Sequence, residues 1–231
     1  MQIASEVWEK LHSIHWFPYE KYAERLEREK GFTREDMLDM LAEFALDETR
    51  DDMGRDRAVY VLVLLSPSRK DARIEACLTH TNALLRTSAL SSIMNDLTTA
   101  EEKLAFVRER LDWIAGHPEC ARDTIHLYSP LYHVFDNSGM TPADREAVLD
   151  FCRKEASETQ CAASASDAFD LLFRHDPQWP MSDEFLIYAK RWGNNPEMHD
   201  NPRARIREAL AIRNANAAGQ EPGGTRRGPS H

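Results

Sequence analysis

Nine histidines and four cysteines are the side chains of this chain best suited to hold a metal ion. His12 and His15 are three apart, as are Cys77 and His80, and His117 and Cys120. On a helix each pair would lie one turn apart on one face and could share an ion. Each pair still needs two more ligands, and none stands at a recognised spacing; the His-Glu-x-x-His pattern is absent. His126 and His133 are two helical turns apart, about 10 Å by helix rise, too far for one ion. The cysteines form no Cys-x-x-Cys pair and read as reduced thiols. The expectation is a chain without metal or other cofactor.

Nucleophilic and phosphate chemistry also lack a framework. There is no Gly-x-Ser-x-Gly elbow, and Gly223-Gly224 stands apart from any strand or helix signal. His175-Asp176-Pro177 could be catalytic, but the string reads more simply as a helix end, with His175 against the negative dipole and Pro177 as the stop. Carboxylates are the most promising group. Glu43, Asp47 and Asp51 lie at i, i+4 and i+8, and would line one face if a single helix ran through them. Like charges so placed raise one another's pKa, a mark of functional carboxylates. The plainer alternative is an exposed face paired with Arg50 and Arg55.

The elements that must position these residues are helices. Leu104, Val107, Leu111 and Ile114 repeat on one face, as do Ile125, Tyr128, Leu131 and Val134, and Ala165, Ala168, Phe169, Leu172 and Phe173. Thr99 three residues before Glu102 is a capping box, and Thr141-Pro142 with Asp144 is a second helix start. Thr33, Ser68, Ser182 and Asn201-Pro202 mark others. These signals predict helices near 3–14, 18–30, 34–47, 55–66, 69–80, 83–96, 100–115, 119–136, 142–157, 161–175, 183–192 and 202–214. Two places stay open. Val59, Val61 and Val63 would suit a buried strand, and Pro130 either kinks its helix or starts a new one. Residues 215–231, rich in glycine and proline, are expected to be disordered. Residues 1–214 are read as one domain.

Three apolar segments close on Asp96, Asp136 and Asp176, a recurrence of about 40 residues. Pairing 69–80 with 83–96, 100–115 with 119–136, and 142–157 with 161–175 makes three helical hairpins. Cys120 and Cys161 fall at similar places in successive repeats, as a shared packing slot would require. The pattern over roughly residues 34–192 resembles HEAT-like α-helical repeats. That resemblance implies an all-α fold of stacked antiparallel hairpins whose inner helices bind protein or nucleic acid. An irregular helical bundle is the alternative.

Charge narrows the partner. The net charge is −10, yet residues 201–231 hold six arginines against Glu208 and Glu221. Residues 35–56 hold nine acids against Arg50 and Arg55, a balance of −7. Such a body repels phosphate backbones and speeds encounter with basic partners. The reading is therefore a non-catalytic protein-binding scaffold, for instance an inhibitor or immunity-type protein for a basic partner. Glu43, Asp47, Glu48, Asp51 and Asp52 are the candidate contact residues. Two other readings compete. One is a helical-repeat enzyme; the helical-repeat DNA glycosylases are similar in length but need a basic concave face, from which this acidic body departs. The other is a nucleic-acid binder led by Arg203, Arg205, Arg207 and Arg213 with Arg226 and Arg227. The crowded aromatics Trp8, Trp16, Phe17 and Tyr19 are expected to cap the first hairpin, or else to anchor a partner. The longest apolar run, Ala58 to Leu65, is eight residues, far short of a membrane span. With Glu6, Glu9 and Lys10 in place of an apolar leader, the expectation is a cytoplasmic protein with no membrane contact.

Overall fold

A computed structural model describes residues 2–12, 18–136 and 140–219. Among the described residues the chain forms twelve α-helices and two short 3-10 helices, with no strand. The all-α expectation holds. The helices are α1 Gln2–His12, α2 Tyr19–Lys30, α3 Arg34–Leu46, α4 Asp52–Leu65, α5 Ala72–Leu78, α6 Ala83–Asp96, α7 Ala100–Ala115, α8 Thr124–Asp136, α9 Pro142–Glu158, α10 Ala162–His175, α11 Asp183–Trp192 and α12 Asp200–Gly219. No described helix is long and apolar enough to cross a membrane.

Local chemistry explains most boundaries. Thr33 and Asp36 close a capping box on α3, and Thr99 and Glu102 close one on α7. Thr141 and Asp144 exchange the same pair of bonds at the start of α9. The Ser182 hydroxyl accepts from the Phe185 amide and opens α11. The helix expected from Ser68 instead starts after Asp71, whose carboxylate accepts from the Arg73 amide. The expected 119–136 helix divides: a 3-10 turn spans Pro118–Asp123, and α8 follows with Pro130 inside it. α12 runs to Gly219, five residues into the segment expected to be disordered; the remainder lies outside the described residues.

Contacts divide the chain into two compact units, 1–144 and 145–231. In the first unit α4 is central, packing against α1, α2, α3, α5 and α6. That burial settles the strand ambiguity: Val59, Val61 and Val63 are helical and at most 1% exposed. A helix surrounded on most sides reads as continuously apolar, whatever its β-branched content. Hairpins α3/α4, α5/α6 and α7/α8 each pack in chain order, and α6 lies against both α4 and α8. The second unit closes around Phe169, Phe173, Trp179 and Phe185, with Trp179 and Phe185 ring centroids 5.1 Å apart. There the Trp192 indole donates to the Ala156 carbonyl at 2.8 Å.

Candidate functional site

The acidic stretch 35–56 is broken by the fold. α3 ends at Leu46, Asp47 is its C-cap, and α4 begins only after Asp51. Glu43, Asp47 and Asp51 therefore share no single helical face, which corrects the i, i+4, i+8 alignment. The cause is local. Asp47 accepts from the Thr49 hydroxyl and amide and from Arg50 Nε, which folds a turn in place of a further helical turn. Asp51 accepts from the Gly54 amide as the N-cap of α4.

Most of these carboxylates have structural work. The Thr33 hydroxyl and amide hold Asp36 below the ordinary carboxylate range. The Thr49 hydroxyl and amide, with Arg50, do so for Asp47, and the Gly54 amide with His12 does so for Asp51. Arg73 reaches Glu35, Asp39 and Asp71 at once, at 2.8 to 2.9 Å. Asp56 accepts from the Ser88 hydroxyl. Of the five candidate contact residues, Asp47 and Asp51 are thus caps. Asp52 is 80% exposed, with Arg55 at 3.5 Å. Glu43 and Glu48 are exposed and have no hydrogen-bond or ion-pair partner among the described residues.

Glu43 opens onto a cleft of about 600 Å³. Ile3, Ala4, Phe32 and Met40 supply its apolar surface, and Glu6, Asp36, Asp39 and Glu43 supply carboxylates against Lys30. The chain geometry that builds it is specific. Gly31 ends α2 at φ +62°, its amide and that of Phe32 donating to Glu27 and Leu26, so the chain reverses into α3 with Phe32 beside the cleft. Glu6 is held by the Tyr22 hydroxyl at 2.9 Å and by Arg25 at 3.0 Å. Burial, with Glu6 beside it, pushes the Tyr22 hydroxyl well above its usual range, so it stays a donor. Asp36 and Asp39 were among the nine acids of residues 35–56, and Phe32 was not singled out by the sequence. Glu6, Ile3 and Ala4 carried no signal, because only tertiary packing brings α1 to α3.

The remaining candidates go elsewhere. Among the described residues no group of three or more His, Cys, Asp or Glu could hold a metal ion. His15, Trp16, Phe17, Arg226 and Arg227 lie outside the described residues. Cys77, Cys120 and Cys152 are buried, and burial pushes the Cys77 thiol up to about 11. His117 stacks on Trp113 with centroids 4.1 Å apart. Asp176 accepts from Arg153 at 2.5 Å and from the Trp179 amide, so it anchors a turn. Trp8 packs edge-on to Phe44, and Arg50 lies over both rings, at 4.2 and 4.4 Å. The arginines of α12 are committed to their own unit. Arg205 reaches Asp170 and the Phe173 carbonyl, Arg207 the Gly193 carbonyl, and Arg213 Asp183 and the Ser182 carbonyl. Arg203 bonds Asp200 and the Asn195 and Pro196 carbonyls.

Two further clefts are self-satisfied. One, of about 720 Å³ beside α9 and α11, is lined by charges that pair with neighbours: Arg153 with Asp150 and Asp176, and Lys154 with Glu158 at 3.7 Å. The other, of about 330 Å³ between α4 and α6, has Ser88 bonded to Asp56 and Ser91 to His126. Burial lowers the His126 pKa, so the ring is neutral there. Ser91 and His126 form a hydroxyl–imidazole pair at 3.0 Å in the second cleft, and among the described residues no third group bonds His126 Nε2 to orient the ring as acyl transfer would require. No known family, no curated protein and no solved structure matches this chain.

Proposed function

We propose that this chain is a non-catalytic, protein-binding scaffold of helical hairpins stacked in the HEAT manner, which recognises a basic protein partner through the α3/α4 face. An inhibitor or immunity-type role is one concrete form of it. The observation that carries the reading is that Glu43, Glu48 and Asp52 remain exposed while their neighbours are consumed as caps and ion pairs. Exposed carboxylates on a chain of net charge −10 leave a negative field directed at solvent. The order of contacts α3/α4, α5/α6 and α7/α8, with α6 between α4 and α8, supports the stacked arrangement in the first unit. Commitment of the α12 arginines to carbonyls and carboxylates weighs against the nucleic-acid reading.

The test is affinity capture from host extract on wild-type protein and on the triple variant Glu43→Gln, Glu48→Gln, Asp52→Asn. Glu43→Gln and Glu48→Gln should each leave stability within about 0.5 kcal/mol of wild type. Asp52→Asn also removes the carboxylate 3.5 Å from the buried Arg55, and denaturant unfolding reads that added loss separately from binding. The wild type should retain basic proteins that the variant binds more slowly and with weaker salt dependence. Equal retention and equal kinetics would overturn the assignment of the partner to this face.

A further inference from the structure

We propose that the cleft between α1 and α3 is a receptor for a single lysine or arginine side chain presented by the partner, with the aliphatic stem on its floor and the cationic head among its carboxylates. This rests on the protein-binding reading and names the chemistry of its contact. Ile3, Ala4, Phe32 and Met40 offer an apolar surface, which suits the methylene stem of such a side chain. Four carboxylates and Lys30 line the same cleft, and Arg25 and Arg73 pair with Glu6 and Asp39, which leaves a formal excess of one negative charge, with Glu43 wholly unpaired among the described residues.

Three of these four acids are held in place rather than mobile. Tyr22 and Arg25 fix Glu6 through its Oε1, the Thr33 cap fixes Asp36 through Oδ2, and Arg73 fixes Asp39 through Oδ1. In each case the other carboxylate oxygen has no protein donor among the described residues, and Glu43 has none on either oxygen. Groups already immobilised for structural reasons lose little further freedom when a ligand arrives, which is the economy of preorganisation. The chemistry also selects the occupant. A purely apolar segment would desolvate the carboxylates without compensation. A second copy of this chain would bring another net charge of −10. A cation with a hydrocarbon stem satisfies both surfaces.

The probe is a blocked hexapeptide, Ac-Leu-Lys-Leu-Leu-Lys-Leu-amide, compared with the same peptide carrying norleucine in place of lysine and with an arginine version. Binding is followed by methyl and amide NMR shifts of the full chain. The lysine and arginine peptides should shift Ile3, Ala4, Phe32 and Met40, and the norleucine peptide should not. Glu43→Gln, which touches no internal partner, should weaken binding about two- to fivefold, and added salt should weaken the wild type more than the variant. Ala4→Phe, which fills the floor, should abolish the shifts while leaving the helical spectrum intact. Equal binding of the norleucine peptide would make this an apolar docking surface and overturn the proposal. Self-association through the same residues would overturn it in favour of a second copy. If the cationic peptides leave the cleft unshifted while the triple variant still loses its basic clients, the pocket fails and the broader reading stands.

Discussion

His12 faces oxygens that can only accept: the Trp8 carbonyl lies 3.0 Å from Nδ1 and an Asp51 carboxylate oxygen 2.8 Å from Nε2. A neutral imidazole has one N–H, so both contacts are satisfied only in the protonated ring. The Trp8 carbonyl and then Asp51 raise the His12 pKa above its ordinary 6.5, against burial and Arg57. The sign follows from linkage. A folded-state pKa above the unfolded one contributes stability fully present below pH 6.5 and lost as pH rises through the raised value. Asp51→Asn keeps an N-cap acceptor and removes the charge. Its stability deficit should be largest between the carboxylate's ordinary 3.8 and 6.5, and should shrink at higher pH. A deficit that stays constant across pH in urea titrations would refute the role of the charged ring. Close by, Gly54 is required for close approach. A Cβ there would stand 2.3 Å from Trp8 Cη2 and 2.6 Å from His12 Cε1. Gly54→Ala should cost about 1–3 kcal/mol through displacement of the Trp8 and His12 rings. An unchanged Tm would mean that α1 does not rest on α4 in solution.

Between elements, a buried ion pair in the first unit joins α6 to the 3-10 turn before α8. Arg86 on α6 donates from Nε to Asp123 at 2.6 Å, and its Nη1 donates to the His80 and Thr81 carbonyls. Both side chains are at most 7% exposed. Asp123 sits in the 3-10 turn that replaces the start of the expected 119–136 helix, so the departure from helix places the carboxylate that anchors α6. The pair raises the Arg86 pKa, so removal of its partner would leave a buried charge. Asp123→Ala should therefore cost about 3–5 kcal/mol. Denaturant unfolding with an unchanged m-value would report it, and a loss below about 1 kcal/mol would show that the pair is dispensable. α6 and α8 end on Asp96 and Asp136, and Asp176 caps α10. Acids oppose the negative end of a helix, and Asp96 and Asp176 are offset by Arg69 and Arg153.

For the whole molecule, the division at Asp144 predicts two cooperative bodies rather than one. Phe185 is fully buried and touches the rings of Phe169, Phe173 and Trp179. Phe185→Ala should cost about 3–5 kcal/mol. Hydrogen exchange should show the loss of protection confined to residues 145–219, with the first unit unaffected. Loss of protection throughout would show one cooperative domain, as expected from the sequence.

Helix identity was legible because its determinants are local. Caps at Thr33, Thr99, Thr141 and Ser182 act within three residues, and apolar spacing needs only the segment itself. The all-α class followed from those signals alone. The state of the charges did not, since it depends on partners far apart in the chain: Arg73 meets Asp39 and Glu35 across 34 and 38 positions, and His12 meets Asp51 across 39. The same distance hid the cleft. α1 and α3 each present ordinary residues, and an acid-rimmed hollow arises only where they come together. Burial also made a helix of the valine-rich 58–65 run. A side chain's solvation and partners are properties of the folded neighbourhood, so linear order decided the rods and packing decided which carboxylates were paired and which stayed exposed.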